Sequence, residues 1–533
     1  VLAGRAARVG IVALAASMLA GAGTIALDAF ADPPPSFEAQ LCALPQEWLR
    51  ATQLGYNRPR SGQITLLPHQ PMYMSTGSLG WTHSGPWDYL QQVPLMFYGP
   101  GLIPSGVEVT EPVTTADIAP TIAAILGTHL EGDGSVLTDV VGADRTPKLV
   151  LTVVWDGGGW NGLRQWPDAW PNLKDLMSRG VAYTNATVGS SPSVTPAIHT
   201  TLGTGFFPAT HGVTGVPVRD EAGVVVDSFN DGKSARFIEV PTLAESWDRA
   251  TDNRALIGMV GYEPWHLGMI GAGAEAPGGD KDDAVWVNRG SNHWVTNRDH
   301  YAIPATFRDQ TDIQERLVEL DAADGDDDNR WGRVPLDVQS RIEETPAFVA
   351  HHGQKLVELI TDGGYGQDRV TDLLFTNFKQ IDRVAHYYNM VAPEVRDVMV
   401  ASDEQLGVLV DALEEHVGRG NYVLVLTADH GMQPSAKDLH AYAIDPNEVE
   451  RDITAHFGPV VRAVWPTEVF MLEDEMSARS VTVDDVATFL GAYRIRDNTP
   501  SFKNKVLGSG SFSPNDRVFD LAAPAEMLET VSC

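Results

Sequence analysis

Short apolar runs recur along this chain at lengths that suit buried strands, and helical patterns separate them. The runs are Val93–Tyr98, Leu149–Trp155, Ala255–Val260, Asp372–Asn377 and Tyr422–Thr427. Each ends in polar residues or glycine, as a strand covered on both faces does. Helical patterns lie at 116–126, 172–179, 241–249, 393–416 and 483–493. Strands alternating with helices predict an α/β fold: a mostly parallel central sheet with helices on both faces. In such sheets the active residues gather just beyond the carboxyl ends of the strands. Those ends are where chemistry is sought.

Residues 1–31 stand apart from this pattern. Arg5 and Arg8 form a basic start, Val9 to Leu27 is apolar and uncharged, and Ala29-Phe30-Ala31 is an A-x-A site followed by Pro33 to Pro35. This reads as a secretory signal peptide cleaved after Ala31. The alternative is an uncleaved anchor, since 19 apolar residues can just span a bilayer; Gly21 and Gly23 weaken that helix. Membrane contact is expected only if the segment is retained. Otherwise the protein is secreted or extracytoplasmic, in an oxidising compartment. Residues 32–533 are then expected to form one catalytic domain. The Gly-, Asp- and Trp-rich stretch 266–365 is expected to be a cap insertion over the site.

Charge narrows the function classes. The chain carries 70 Asp+Glu against 38 Lys+Arg, a formal charge of −32. Such a surface repels phosphate backbones, so no nucleic-acid scaffold binding is expected. Small phosphate esters stay open, because bound metals reverse the local field. Two cysteines exclude a disulfide-rich scaffold and a thiolate zinc ribbon. The acidic run 321–328 reads as a solvated loop: counted from Asp324, the twelfth position of a calcium loop is Pro335, not Glu.

Candidate residues sit where the fold predicts. Asp156 ends the Leu149–Trp155 run and is followed by three glycines; alone, it could equally be a helix cap. Asp382 and His386 are spaced i, i+4 and share a helical face, which suits a common metal or a surface ion pair. Asp429-His430-Gly431 follows the Tyr422–Thr427 run. Thr195 precedes Pro196, a good first helical residue, so its hydroxyl is placed at a helix N-terminus. That position suits a simple cap, and it also suits a phosphate. His199 and His211 read as structural.

Taken together, these segments resemble the alkaline phosphatase superfamily, in its type I phosphodiesterase/nucleotide pyrophosphatase branch. The strings that carry the resemblance are Leu149–Gly157, Pro171–Ala186, Thr195–Gly205 with Pro208–Gly212, Asp382-x3-His386 and Thr427–Met432, in the family's order. The family's last metal histidine normally follows Asp-His-Gly. Here its best match precedes everything else: Gly80-Trp-Thr-His83-Ser-Gly-Pro-Trp-Asp88 and the strand after it, with Thr115–Gly127 resembling the closing helix. The chain therefore reads as a circular permutant, with the family's C-terminal part at 32–145 and its N-terminal part at 146–533. The new termini should be neighbours, and in an oxidising compartment Cys42 and Cys533 are expected to form a disulfide that staples them.

The resemblance implies a metal-dependent phosphoric ester hydrolase with two zinc ions. Asp156, Thr195, Asp429 and His430 would hold one; Asp382, His386 and His83 the other. Manganese or iron suits the same donors. Thr195 would attack phosphorus and form a phosphothreonine. Two departures bear on the substrate. Val216 stands where many relatives carry a phosphoryl-contacting Asn, and the Val260–Leu267 segment lacks the Lys/Arg pair of monoesterases. A diester carries one charge fewer and needs fewer positive groups, so a phosphodiesterase/nucleotide pyrophosphatase is expected, with a small phosphate ester as substrate. A phosphomonoesterase is the alternative, and a non-catalytic exported binding protein the second. Trp265 and His266 could line a leaving-group pocket or the core. Thr195-Pro196-Ala197 lacks the Cys/Ser-x-Pro-x-Arg pattern of sulfatases.

Overall fold

The computed structural model describes residues 34–533 except 76–81, 144, 309–312, 324, 327, 435–438 and 499–511. The expected signal segment, 1–31, lies outside the described residues. A ten-stranded sheet runs through the core in the order His293–Val295, Asp283–Asn288, Ile257–Val260, Asp372–Phe378, Leu149–Trp155, Tyr422–Thr427, Gln92–Tyr98, Val181–Thr187 and Val107–Val109, with Val113–Thr114 also paired to Val181–Thr187. The middle four, from Ile257–Val260 to Tyr422–Thr427, are mutually parallel. All seven residues of Leu149–Trp155 are buried. Leu151, Val153 and Trp155 face one core, Val150 and Val154 the other, as the two-residue period of a strand requires. Helices Pro171–Arg179, Pro346–Asp362 and Pro393–Ala412 fill the first core. Helices Ile118–Ile125, Thr195–Thr204 and Leu243–Ala250 fill the second.

Strand Gln92–Tyr98 runs antiparallel to both neighbours. This reversal has a consequence for the site. The chain entering an antiparallel strand lies at the same edge as the chain leaving the parallel ones. His83, upstream of that strand, is thereby delivered to the carboxyl edge.

Parts of the 266–365 stretch, expected as a cap insertion, belong to the central sheet and core. Its apolar Ala284-Val285-Trp286-Val287 forms a buried strand parallel to Ile257–Val260, so this part extends the sheet. Helix Pro346–Asp362 joins the core. The glycines and aspartates around these elements mask them in the composition.

A second, four-stranded antiparallel sheet has the order Val461–Trp465, Glu468–Met471, Ile64–Pro68, Phe519–Pro524. It pairs an early strand with the last one. Close by, a disulfide joins Cys42, on helix Phe37–Ala43, to Cys533, with Cα atoms 5.5 Å apart across 491 residues of sequence. Among the described residues no helix is long and apolar enough to cross a membrane.

Candidate metal centre and nucleophile

Five chain segments converge at the carboxyl edge, among them the one that delivers His83. Asp156 follows strand Leu149–Trp155, and Asp429-His430 follows Tyr422–Thr427. Asp382 and His386 lie on helix Gln380–Tyr388, directly after strand Asp372–Phe378. Glycine makes the convergence possible. Gly157 has φ +70°, and a Cβ there would sit 2.9 Å from the Cα of Asp382. A Cβ on Gly431 would sit 2.1 Å from the carbonyl oxygen of Tyr89. Thr195 opens helix Thr195–Thr204, with Pro196 behind it. Asp156, Thr195, Asp382, His386, Asp429, His430 and His83 are all buried.

The side chains form two adjoining groups, each with ligand atoms mutually within 4.8 Å: Asp156, Asp429 and His430, and His83, Asp382 and His386. In the first, His430 Nε2 is 3.5 Å from Asp156 Oδ1 and 3.3 Å from Asp429 Oδ2. In the second, Asp382 Oδ1 is 3.4 Å from His83 Nε2 and 3.2 Å from His386 Nε2. The rings of His83 and His430 stack at 3.5 Å, which draws the two groups together.

Both stacked histidines are oriented from behind. His83 Nδ1 is 2.7 Å from the carbonyl of Ser193, and His430 Nδ1 is 3.1 Å from that of Gly431. A carbonyl only accepts, so each Nδ1 donates and each Nε2 keeps its lone pair. Burial pushes His430 down to about 3 and holds His83 well below the ordinary histidine value, so both rings are neutral. A lone pair facing a carboxylate oxygen is repulsive unless a cation stands between them. Asp382 Oδ1, Asp429 Oδ2 and His430 Nε2 are buried without hydrogen-bond partners among the described residues, which in a protein interior calls for an explanation. The donor set, imidazole and carboxylate without thiolate, fits zinc, and the backbone bonds behind His83 and His430 are the outer shell such ligands use.

One member of the centre escaped the sequence reading. Lys379 is buried, and its ammonium donates to Asp156 Oδ1 at 2.7 Å and Thr195 Oγ1 at 2.8 Å, with Asp382 Oδ2 also 2.8 Å away. Burial opposes its charge, yet Asp156, Asp382 and Asp429 hold its pKa above the ordinary lysine value. Asn377 donates to Asp156 Oδ2 at 3.0 Å. Both residues lie at or just beyond the carboxyl end of strand Asp372–Phe378, where the strand-end rule would have looked for them. Burial, then the nearby Asp429 carboxylate, pushes Asp156 upward.

His199, read from sequence as structural, has Nε2 3.5 Å from Asp429 Oδ2 and borders the centre; His211 is buried against Thr201 at 3.1 Å. Trp265 and His266 part company. The Trp265 ring centre is 6.0 Å from the Lys379 ammonium, and its indole donates to Asp227. His266 is fully buried, with Nδ1 2.8 Å from Nδ1 of His199, and one ligand atom each of His266, His199 and Asp156 lies within 4.8 Å of the others.

The family model described as Type I phosphodiesterase / nucleotide pyrophosphatase matches residues 150–502. Alkaline phosphatase PafA of Elizabethkingia meningoseptica is 24% identical over 414 residues, covering 67% of this chain and 75% of the relative. A protein of Myroides odoratus named calcium-transporting ATPase is 22% identical over 411 residues, covering 64% of this chain and 72% of the relative. The crystal structure of wild-type alkaline phosphatase PafA aligns with a TM-score of 0.53 at 20% identity, covering 66% of this chain and 76% of that one, a likeness of fold. His83 and strand Gln92–Tyr98 precede the segment that the family model matches.

Proposed function

The chain belongs to the type I phosphodiesterase/nucleotide pyrophosphatase family and is a hydrolase of phosphoric esters; from that premise we propose that it is an exported, two-zinc phosphodiesterase with Thr195 as nucleophile. One observation carries this reading. Three buried ligand atoms without hydrogen-bond partners among the described residues, Asp382 Oδ1, Asp429 Oδ2 and His430 Nε2, surround a centre into which a threonine hydroxyl projects from a helix N-terminus. Asp156, Asp429, His430 and Thr195 would hold one metal; Asp382, His386 and His83 the other. Zinc held there would polarise the phosphoryl oxygens and lower the pKa of a nearby hydroxyl.

The chain's own groups do the rest. Thr195 Oγ attacks phosphorus in line with the departing ester oxygen. The P–O bond to the leaving group breaks as the Thr195 Oγ–P bond forms, and the hydroxyl proton ends on the departing ester oxygen. Water then cleaves the phosphothreonine and returns the proton to Oγ. Lys379 restrains Oγ through its hydrogen bond and offsets charge as it develops, a role that fixed donors fill most effectively in a dry site. Asn377 fixes one oxygen of Asp156 so that the other can face the centre. The helix N-terminus of Thr195–Thr204 favours the anionic phosphoryl group.

Export rests on the signal-like residues 1–31 and the Cys42–Cys533 disulfide. The permuted reading rests on His83 and strand Gln92–Tyr98, which join the centre and the sheet from before the matched segment, and on the disulfide between Cys42 and Cys533. A second reading, monoester hydrolysis, is favoured by the alkaline phosphatase name of the Elizabethkingia relative and by the extra cation of Lys379.

A panel of aryl phosphodiesters, nucleotide diesters and aryl monoesters, assayed with zinc, separates the two. Diesters are expected to show the higher kcat/KM; a strong preference for monoesters overturns the diesterase reading. Thr195→Ala should lower turnover by about 10⁴-fold or more on every substrate, as removal of a nucleophile does elsewhere. Activity that survives this change would remove Thr195 from its role.

A further inference from the structure

We propose that Asp248, Asp280 and Asp282 form a binding site for a hard divalent cation, calcium, apart from the catalytic centre. Asp248 lies in the last turn of helix Leu243–Ala250; Asp280 and Asp282 lie just before strand Asp283–Asn288. One oxygen from each carboxylate falls within 4.8 Å of the other two. Asp248 and Asp282 are 3% and 7% exposed, while Asp280 forms an exposed rim.

Clustered acids alone would mean little. The second observation is Asp248 Oδ1, which is buried and has no hydrogen-bond partner among the described residues. The surroundings do not supply a counter-ion. The charged groups that act most on Asp282 are Asp248, Asp280, Glu245 and Asp283, all acids. Asp248 meets the carboxyl of Asp280 at hydrogen-bonding distance, and the opposing charge beside it is that of Arg249, its exposed sequence neighbour. Lys281, between the two loop acids, turns away and donates to the carbonyl of Arg298. Burial and the neighbouring acids push Asp282 up to about 9 and Asp248 up to about 6, as expected of carboxylates without compensation.

An oxygen-only set with no histidine or cysteine selects a hard ion over zinc, and calcium tolerates irregular carboxylate coordination. An ion there would tie the end of helix Leu243–Ala250 to the segment that starts the outer strand Asp283–Asn288. Its effect should therefore fall on stability more than on chemistry.

Thermal unfolding of the full zinc-loaded chain, titrated with calcium chloride, tests this. Tm is expected to rise by about 3 °C at a hundredfold excess over Kd. The same rise is expected in Asp156→Asn, whose change lies in the catalytic centre, and is expected to vanish in Asp280→Asn, whose exposed side chain puts folding at little risk. Asp282→Asn should also lose the calcium response. No calcium response in the wild type, or an undiminished one in Asp280→Asn and Asp282→Asn, overturns the proposal.

Discussion

Two clusters of three aspartates converge in this molecule, and they are compensated differently. Asp156, Asp382 and Asp429 are met by the ammonium of Lys379 and by the imidazole rings of His83, His386 and His430. Asp248, Asp280 and Asp282 are met almost entirely by other acids. The difference teaches what each can hold. Mixed nitrogen and oxygen donors beside a hydroxyl suit a borderline ion that does chemistry; oxygen alone suits a hard ion that fastens structure.

The largest test of this contrast is to take one ring nitrogen away from the first cluster. His83→Ala is expected to reduce zinc from two equivalents to one, with a loss of at least about 100-fold in kcat/KM, since even outer-shell changes cost 10–100-fold. Metal analysis after dialysis reads the first effect and ester hydrolysis the second. Full retention of two equivalents would detach the segment before residue 149 from the centre, and with it the permuted reading.

Lys379→Met comes next. Removing one partner of a buried charge group costs about 3–5 kcal/mol, because the remaining charges stay buried. Metal-free protein should lose about that much in chemical denaturation, and zinc should recover much of it. Loss of one fixed donor in the zinc-loaded protein is expected to lower kcat by about 100-fold. If metal-free stability is unchanged, Lys379 does not balance these aspartates.

The smallest effect calibrates both clusters against a solitary buried acid. Glu468 is buried in the second sheet, accepts from the backbone N–H of Gly62 at 2.6 Å, and is pushed by burial up to about 7. Its folded value exceeds its unfolded one, so it holds its proton more tightly when folded. The stability this supplies is full below about pH 4.5 and is lost as pH rises through about 7. The total is on the order of 3 kcal/mol. Glu468→Gln should flatten that part of the stability–pH curve, and an unchanged slope would refute the assignment.

Much of the architecture was legible in the chain. Apolar runs such as Leu149–Trp155 and Tyr422–Thr427 announce themselves because a strand buried on both faces has no room for polar side chains. Asp283–Asn288 was not legible, because only its four central apolar residues mark it amid glycines and aspartates. In the centre, Asp156, Asp382 and Asp429 could be named because they follow strands or share a helical period. Lys379 could not be told from a surface lysine, since its burial depends on three oxygens contributed by Asp156, Thr195 and Asp382. Asp248 lies more than thirty residues before Asp280 and Asp282, and the three carry no motif.

By itself the sequence determined the period of the strands, the residues able to serve as ligands and nucleophile, and the two cysteines available for a bond. Those are local properties, set by side-chain chemistry and backbone pitch. Tertiary structure alone decided which aspartates share a space and which have a cation beside them. It also decided that the antiparallel course of Gln92–Tyr98 carries His83 to the edge where the parallel strands end. Charge compensation and ligand geometry are sums over distant segments, and only the folded chain evaluates them.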